Sequence, residues 1–219
     1  MHPRTFIAAT LIAALGVASP LDLSAQGPLP KDSLVAEMEL VFAGTGNMVT
    51  HTMTVLGHAL DINHEEGGDS TVVAAAAILH DIGIPRAREI HGSTAGQYQE
   101  IEGPPIAREI LTRLHYPPSM IDHICGIIAN HHSDADPDIV NTLEFKILWD
   151  ADWLVNFPGR HPGATGQEKE AAIEEIFKTK RGKLLARQLF LERPEDTQGG
   201  VRGTSVRNIA DGTGERGSS

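Results

Sequence analysis

The 219-residue sequence has little cysteine, few aromatic residues, no long basic run and no apolar run of membrane-spanning length, and each shortage removes a class of protein. Its single cysteine, Cys125, cannot close an internal disulfide. The neighbouring Ile121, Ile124 and Ile128 suit a buried apolar role for it rather than a nucleophilic one. CxxC pairs, a P-loop and a GxSxG elbow are missing, which removes thioredoxin-like, nucleoside-triphosphate and serine-hydrolase readings. Aromatics make up 5% of the chain, and no segment alternates apolar and polar residues as a half-buried strand does. The formal net charge is −11 with no Lys/Arg run, so binding to a phosphate backbone gains no counterion-release energy. A nucleic-acid partner is therefore not expected. A small anionic substrate remains open, because net charge says little about one pocket.

The N-terminus has its own pattern. Arg4 supplies one positive charge, residues 6–18 are apolar, Ser19-Pro20 breaks the run, and Leu23-Ser24-Ala25 ends in small residues. That order is expected of a secretory signal peptide over residues 1–25, cleaved near Ala25, which implies a periplasmic or secreted protein. The apolar run falls short of the roughly 20 residues needed to cross a bilayer, so no stable membrane span is expected. Residues 26–193 then read as one domain. Residues 194–219 hold six glycines and few apolar positions, and read as a disordered tail. The sequence carries no signal that sets an oligomeric state.

Between these ends the apolar spacing predicts an all-α domain, a compact multi-helix bundle. Helices are expected over 34–43, 47–62 and 71–82, the last a nearly pure apolar run stopped by Gly83 and Pro85. A less regular stretch covers 86–102. Pro104-Pro105 is expected to open a helix running to about His115, followed by helices over 119–132, 143–157, 168–177 and 182–191. Pro158-Gly159 is expected to stop the helix that begins at Leu143.

Several of these apolar faces carry histidine and aspartate. His80 and Asp81 end the most apolar helix; one buried histidine is usually a core group bonded to a carbonyl, but an adjacent aspartate adds a second ligand of different type. His51 lies on the apolar stripe of its helix, with His58 near that stripe as its competitor. Asp152 shares a helix face with Phe145, Leu148 and Val155, whereas Asp150 lies about 160° away and has Lys146 at i−4 for a surface ion pair. Asp152 is thus the better ligand. His131 and His132 continue an apolar face to the end of their helix, where either a metal, a substrate or the helix dipole would account for them. Imidazoles and carboxylates converging on buried faces are costly unless compensated, most commonly by a divalent metal.

His51, the His80-Asp81-Ile82-Gly83 run and Ala151-Asp152 together resemble the H…HD…D pattern of the HD-domain superfamily of metal-dependent phosphohydrolases. The stretches 99–107 and His131-His132 are similar to members as well, so the resemblance covers about 34–191. It implies an HD-like helical bundle with a metal site in its core, held by His51, His80, Asp81 and Asp152, with His80 and Asp81 central to catalysis. The ion implied is divalent (Mn, Fe, Ni, Zn or Mg), one or two in number. It would polarise a phosphoryl oxygen and activate water, with no covalent enzyme intermediate. For a second ion or for substrate, the resemblance points to His131 or His132, with Gln99 or Glu102 nearby. Its implied substrate is a small phosphate ester or nucleotide. Two other activities occur on this scaffold: oxidation at a di-iron centre, and non-catalytic binding of metal or ligand. One departure stands out. Many members follow HDIG with lysine, and some nucleotidase-type members with glutamate, but this chain has Ile84. Arg86 or Arg88 would then be the source of positive charge, and His91 a further pocket candidate.

Overall fold

The computed structural model describes residues 31–133 and 135–192. The signal-like segment 1–25 and the tail 194–219 lie outside the described residues. The chain runs through α1 (Lys31–Val41), α2 (Met48–Glu66), α3 (Ser70–Leu79), α4 (Ile84–His91) and α5 (Gly96–Arg113). It continues through α6 (Pro118–Ile128), a single turn α7 (Pro137–Val140), α8 (Leu143–Arg160), α9 (Gly166–Ile176) and α10 (Lys180–Phe190). The described residues contain no strand, as the spacing predicts, and none of their helices is long and apolar enough to cross a membrane.

The apolar helix α3 is the axis of the bundle. Val72, Val73 and every residue from Ala75 to Leu79 are buried, and α1, α2, α6 and α8 pack around it. Its alanines leave room for those neighbours to approach, while Ile62, Ile78, Ile124 and Ile127 fill the space between them. Each such isoleucine contributes about 1.5–3 kcal/mol by leaving water. The polar ends are tied off locally. The Asp69 carboxylate accepts from the Thr71 and Val72 amides to start α3, and Thr142 and Thr179 cap α8 and α10 in the same way.

Prolines mark three departures from the expected boundaries. The helix of α3 ends at Leu79, and residues 80–83 form a turn. Pro85 does not end a helix but lies in the first turn of α4, where its missing N–H costs nothing. Pro104-Pro105 does not open a helix either; both lie inside α5, which begins at Gly96. Packing outweighs the lost backbone bonds there, since α5 lies against both α4 and α6 and the Cys125 thiol donates to the Pro104 carbonyl at 3.5 Å. Pro158 likewise falls inside α8, which continues to Arg160.

The turn at 80–83 is held against α5 by an unusually close backbone approach. A Cβ on Gly83 would lie 2.6 Å from the Gly103 nitrogen and 2.7 Å from the Gln99 carbonyl oxygen. Both are main-chain atoms that cannot swing aside, although the Gly83 φ of −76° suits any residue. Gly83→Ala is therefore expected to cost about 1–3 kcal/mol through steric overpacking, read as a lowered Tm in thermal unfolding. An unchanged Tm would show that α5 yields at Gly103.

Candidate metal centre

Three helices, α2, α3 and α8, bring the ligand-type residues together. His51 projects from the first turn of α2, His80 and Asp81 from the turn that follows α3, and Asp152 from the middle of α8. His51 Nε2 lies 3.3 Å from His80 Nε2, 3.4 Å from Asp81 Oδ2 and 3.2 Å from Asp152 Oδ1. His80 Nε2 lies 3.3 Å from Asp81 Oδ2 and 3.5 Å from Asp152 Oδ1. Donors about 2.1 Å from a common ion stand about 3.4 Å apart in a tetrahedron and about 3.0 Å apart in an octahedron. The observed spacings match that range.

The hydrogen-bond roles sharpen the point. His80 is fully buried, and its Nδ1 donates to the Ala77 carbonyl at 2.8 Å. Its Nε2 therefore faces two carboxylates and the Nε2 of a second imidazole. A cation, whether a proton or a metal, satisfies such a set. Burial opposes charge on His80, but the Asp81 and Asp152 carboxylates outweigh it and hold the imidazole well above its ordinary value. Burial likewise opposes charge on Asp81 and Asp152. The imidazoles of His80 and His131 outweigh it at Asp81, as those of His51 and His80 do at Asp152, and both carboxyls sit well below the usual range.

A second donor group adjoins the first. Asp81, His131 and His132 each turn a ligand atom to within 4.8 Å of the others. His131 is buried and its Nδ1 donates to the Ile128 carbonyl at 2.7 Å, which leaves Nε2 as an acceptor with no hydrogen-bond partner. Asp81 Oδ1 is 3.6 Å from it, too far for a hydrogen bond. An orphaned buried lone pair beside a carboxylate fits a second ion, with Asp81 facing both groups through its two oxygens. Burial, reinforced by His131, pushes His132 down to about 4, so this ring is neutral at pH 7 and also able to ligate. The His132 ring lies 3.2 Å from the Gln99 amide oxygen, while Gln99 donates to the Thr94 carbonyl. Glu100 accepts from the His132 and Ser133 amides at 2.9 and 2.8 Å, fixing the loop that carries the histidine.

Other candidates lie elsewhere. Glu102 belongs to neither donor group; it binds His91 Nε2 at 2.9 Å, and Arg86 approaches it to 3.9 Å. His91 stacks on Tyr98 instead of lining the centre. Arg86 also pairs with Glu89, and Arg88 is exposed. His58, half-buried, has Asp61 as its charged neighbour and stands outside both groups. The expected surface pair of Asp150 with Lys146 does not form. Asp150 is fully buried and accepts from the Lys178 amide, the Thr179 amide and the Thr179 hydroxyl at 2.7–2.8 Å. Burial pushes its carboxyl up to about 6, against the pull of those bonds. It is an anchor for α10, on the opposite side of α8 from the metal centre.

Two residues of the site escaped the sequence reading. The Asn156 amide donates to Asp152 Oδ1 at 2.9 Å and orients that carboxylate. Arg160, one turn further, lines with Asn156 a cleft of about 300 Å³ whose floor includes His51, Asp81 and Asp152. Ile84 and Gln99 stand in its walls. The i, i+4, i+8 spacing from Asp152 was the available signal.

The two aspartates of α8 are expected to separate in experiment. Asp152→Asn should weaken metal binding at least tenfold, read by elemental analysis after gel filtration. Asp150→Asn should retain the metal but lower stability by about 2–3 kcal/mol, because its amide nitrogen faces donors. Metal loss in both variants would contradict the assignment. The raised His80 imidazole gives a pH prediction: without an ion it holds a proton at neutral pH, which loading must displace. Apparent affinity should rise as pH rises through neutrality, with proton uptake by the buffer in calorimetry. A pH-independent affinity would contradict it.

The comparisons agree with this geometry. The HD domain family profile matches residues 48–156, which include all four residues of the first donor group. A ribonuclease Y from a Nitratiruptor species is 30% identical over 146 residues, 61% of this chain. The chain spans only 24% of that relative's length. In fold, the chain resembles a crystal structure described as a "predicted HD superfamily hydrolase" from an uncultured Thermotogales bacterium. The TM-score is 0.55 at 22% identity, covering 72% of this chain and 83% of the other. With its helical bundle and its His51, His80-Asp81 and Asp152 cluster, the chain carries an HD domain over residues 48–156.

Proposed function

We propose that this protein is a metal-dependent phosphohydrolase acting on a small phosphate ester or nucleotide. The observation that carries the reading is the convergence of His51, His80, Asp81 and Asp152 on one point at the floor of an open cleft. A divalent ion supplies Lewis-acid charge there and lowers the pKa of water toward neutrality. The residues of the chain do the rest. The Ala77 and Ile128 carbonyls fix the tautomers of His80 and His131, so that both rings offer Nε2 to the site. Asn156 holds Asp152, and Gln99 meets the His132 ring. In the reaction, water oxygen joins phosphorus, the bond from phosphorus to the alcohol oxygen breaks, and that oxygen takes the proton that water loses.

The ribonuclease Y relative is named for action on RNA, but the net charge of −11 and a cleft of about 300 Å³ favour a small substrate here. A di-iron oxygenase is the second reading, and the Asp81, His131 and His132 group is what favours it.

Protein loaded in turn with Mn, Fe, Ni, Zn or Mg is expected to hydrolyse p-nitrophenyl phosphate, its bis ester or a nucleotide. Asp81→Ala should lower turnover at least a hundredfold, because it removes a ligand facing both donor groups. Absence of turnover with every metal and substrate would overturn the phosphohydrolase reading. Oxygen consumption by a sample holding two irons would favour the second reading, and retained activity in Asp81→Ala would detach catalysis from this site.

A further inference from the structure

The metal centre is rich in acid and imidazole, yet the position after HDIG offers only the apolar Ile84. We propose that Arg160 is the anion-binding residue of the cleft, its guanidinium receiving a phosphate oxygen of the substrate while the metal centre faces the scissile bond. This inference rests on the phosphohydrolase reading for its substrate class, and on the following observations for the residue.

Among the side chains lining the cleft, Arg160 alone carries a permanent positive charge. It also borders the adjoining small recess, together with His131 and His132 of the second donor group. Its helix position repeats that of the ligands: Asp152, Asn156 and Arg160 follow at four-residue intervals along one face of α8. A chain of metal ligand, orienting amide and cation therefore runs from the floor of the cleft to its rim.

The guanidinium is held without being consumed. Its carbon lies 5.2 Å from the centroid of the Trp153 ring, a cation–π contact that restrains the side chain. The same stacking leaves the N–H edges free, and those edges match a phosphate with two parallel hydrogen bonds. Arg86, Arg108, Arg113, Arg181 and Arg187 each meet a carboxylate. Arg160 makes no ion pair with any described carboxylate, in a chain where acidic residues outnumber basic ones by 29 to 18. A purely structural role would be to answer the dipole at the C-terminal end of α8. That role requires neither the platform of Trp153 nor a place in the cleft.

The test uses the full chain loaded with Mn, with inorganic phosphate as the probe in calorimetry and p-nitrophenyl phosphate in kinetics. Arg160→Ala is expected to weaken phosphate binding about 10- to 100-fold and to raise KM by a similar factor, with a smaller change in kcat. Metal content and Tm should stay at wild-type values, because the side chain is exposed. Arg160→Lys should recover part of the affinity, retaining the charge but not the fork. Arg88→Ala, on an exposed helix face, should bind phosphate as the wild type does. Equal phosphate binding by wild type and Arg160→Ala overturns the proposal, as does a wild type that binds none. A drop in metal content or Tm in Arg160→Ala also overturns it in favour of a structural role, and an equal loss in Arg88→Ala overturns it in favour of a diffuse charge effect. Phosphate binding that depends on Arg160 without any ester turnover would uphold the anion site and remove the hydrolysis reading alone.

Discussion

Two imidazole nitrogens and two carboxylate oxygens, from His51, His80, Asp81 and Asp152, meet at the centre of this bundle, and the helices around them hold them together. Burying a carboxylate costs several kcal/mol even after relaxation, and Asp81 and Asp152 stand beside one another. A proton on His80 offsets part of that cost in the metal-free protein. A divalent ion brings twice the charge and replaces contacts at hydrogen-bond distance with shorter ones. The Ala77 carbonyl decides which atom His80 presents, since a ring with its hydrogen on Nδ1 has only a lone pair to offer inward. The apolar character of α3 and the ligating power of its last turn are thus one design. The helix buries the imidazole, and its own backbone then fixes the tautomer.

The same constraint accounts for the glycines and loops nearby. The turn after α3 must be pressed against α5 for Asp81 to face both donor groups, and Gly83 permits that contact by having no side chain. Gly103, the residue it meets, in turn leaves room for Ile128 of α6, which a Cβ there would approach to 2.9 Å. The helix α6 then ends where the Ile128 carbonyl can orient His131, as Ala77 orients His80. Glu100 on α5 holds the next residue's amide, so the elements that pack the turn also carry the second donor group. Stability and ligand geometry are coupled through α5, and neither can be altered there alone.

The residues legible in sequence were those whose chemistry conflicts with their surroundings. An imidazole on a pure apolar run, as at His80, announces itself against the hydrophobic pattern. The angular separation of Asp152 from Asp150 along a helix was equally readable, and the two residues do face opposite sides of α8. What was not readable was the reason Asp150 is there. Its partners are main-chain amides at Lys178 and Thr179, nearly thirty residues away, and a helical wheel contains no such long-range donor. Prolines misled for a related reason. Pro104-Pro105 and Pro158 lose backbone bonds locally, but α5 is packed against α4 and α6, and α8 against α2, α3 and α10, and both helices run on across them. Ending α8 at Phe157 also removed Arg160 from the helix face that carries Asp152, which is why the cation of the cleft went unseen. Glu102 failed differently: its position along the chain is close to Gln99, but its side chain points to His91 and Arg86.

The charge balance of the cleft bears on what kind of anion it suits. With metal bound, the carboxylates of Asp81 and Asp152 are neutralised, and His132 is uncharged at neutral pH. The rim then adds one cation, Arg160. A nucleic-acid strand draws its affinity from many phosphates meeting many cations, and one contact changes the salt dependence by only about one unit of slope. The acidic remainder of the surface would repel the other phosphates. A small molecule with one phosphate near the ion and the arginine meets all the positive charge the cleft offers while leaving no charge of its own against the acidic exterior. On the proposed reading, electrostatics would limit substrate size as much as volume does: the cleft offers one arginine beside the donor groups, and a net charge of −11 disfavours a longer polyanion.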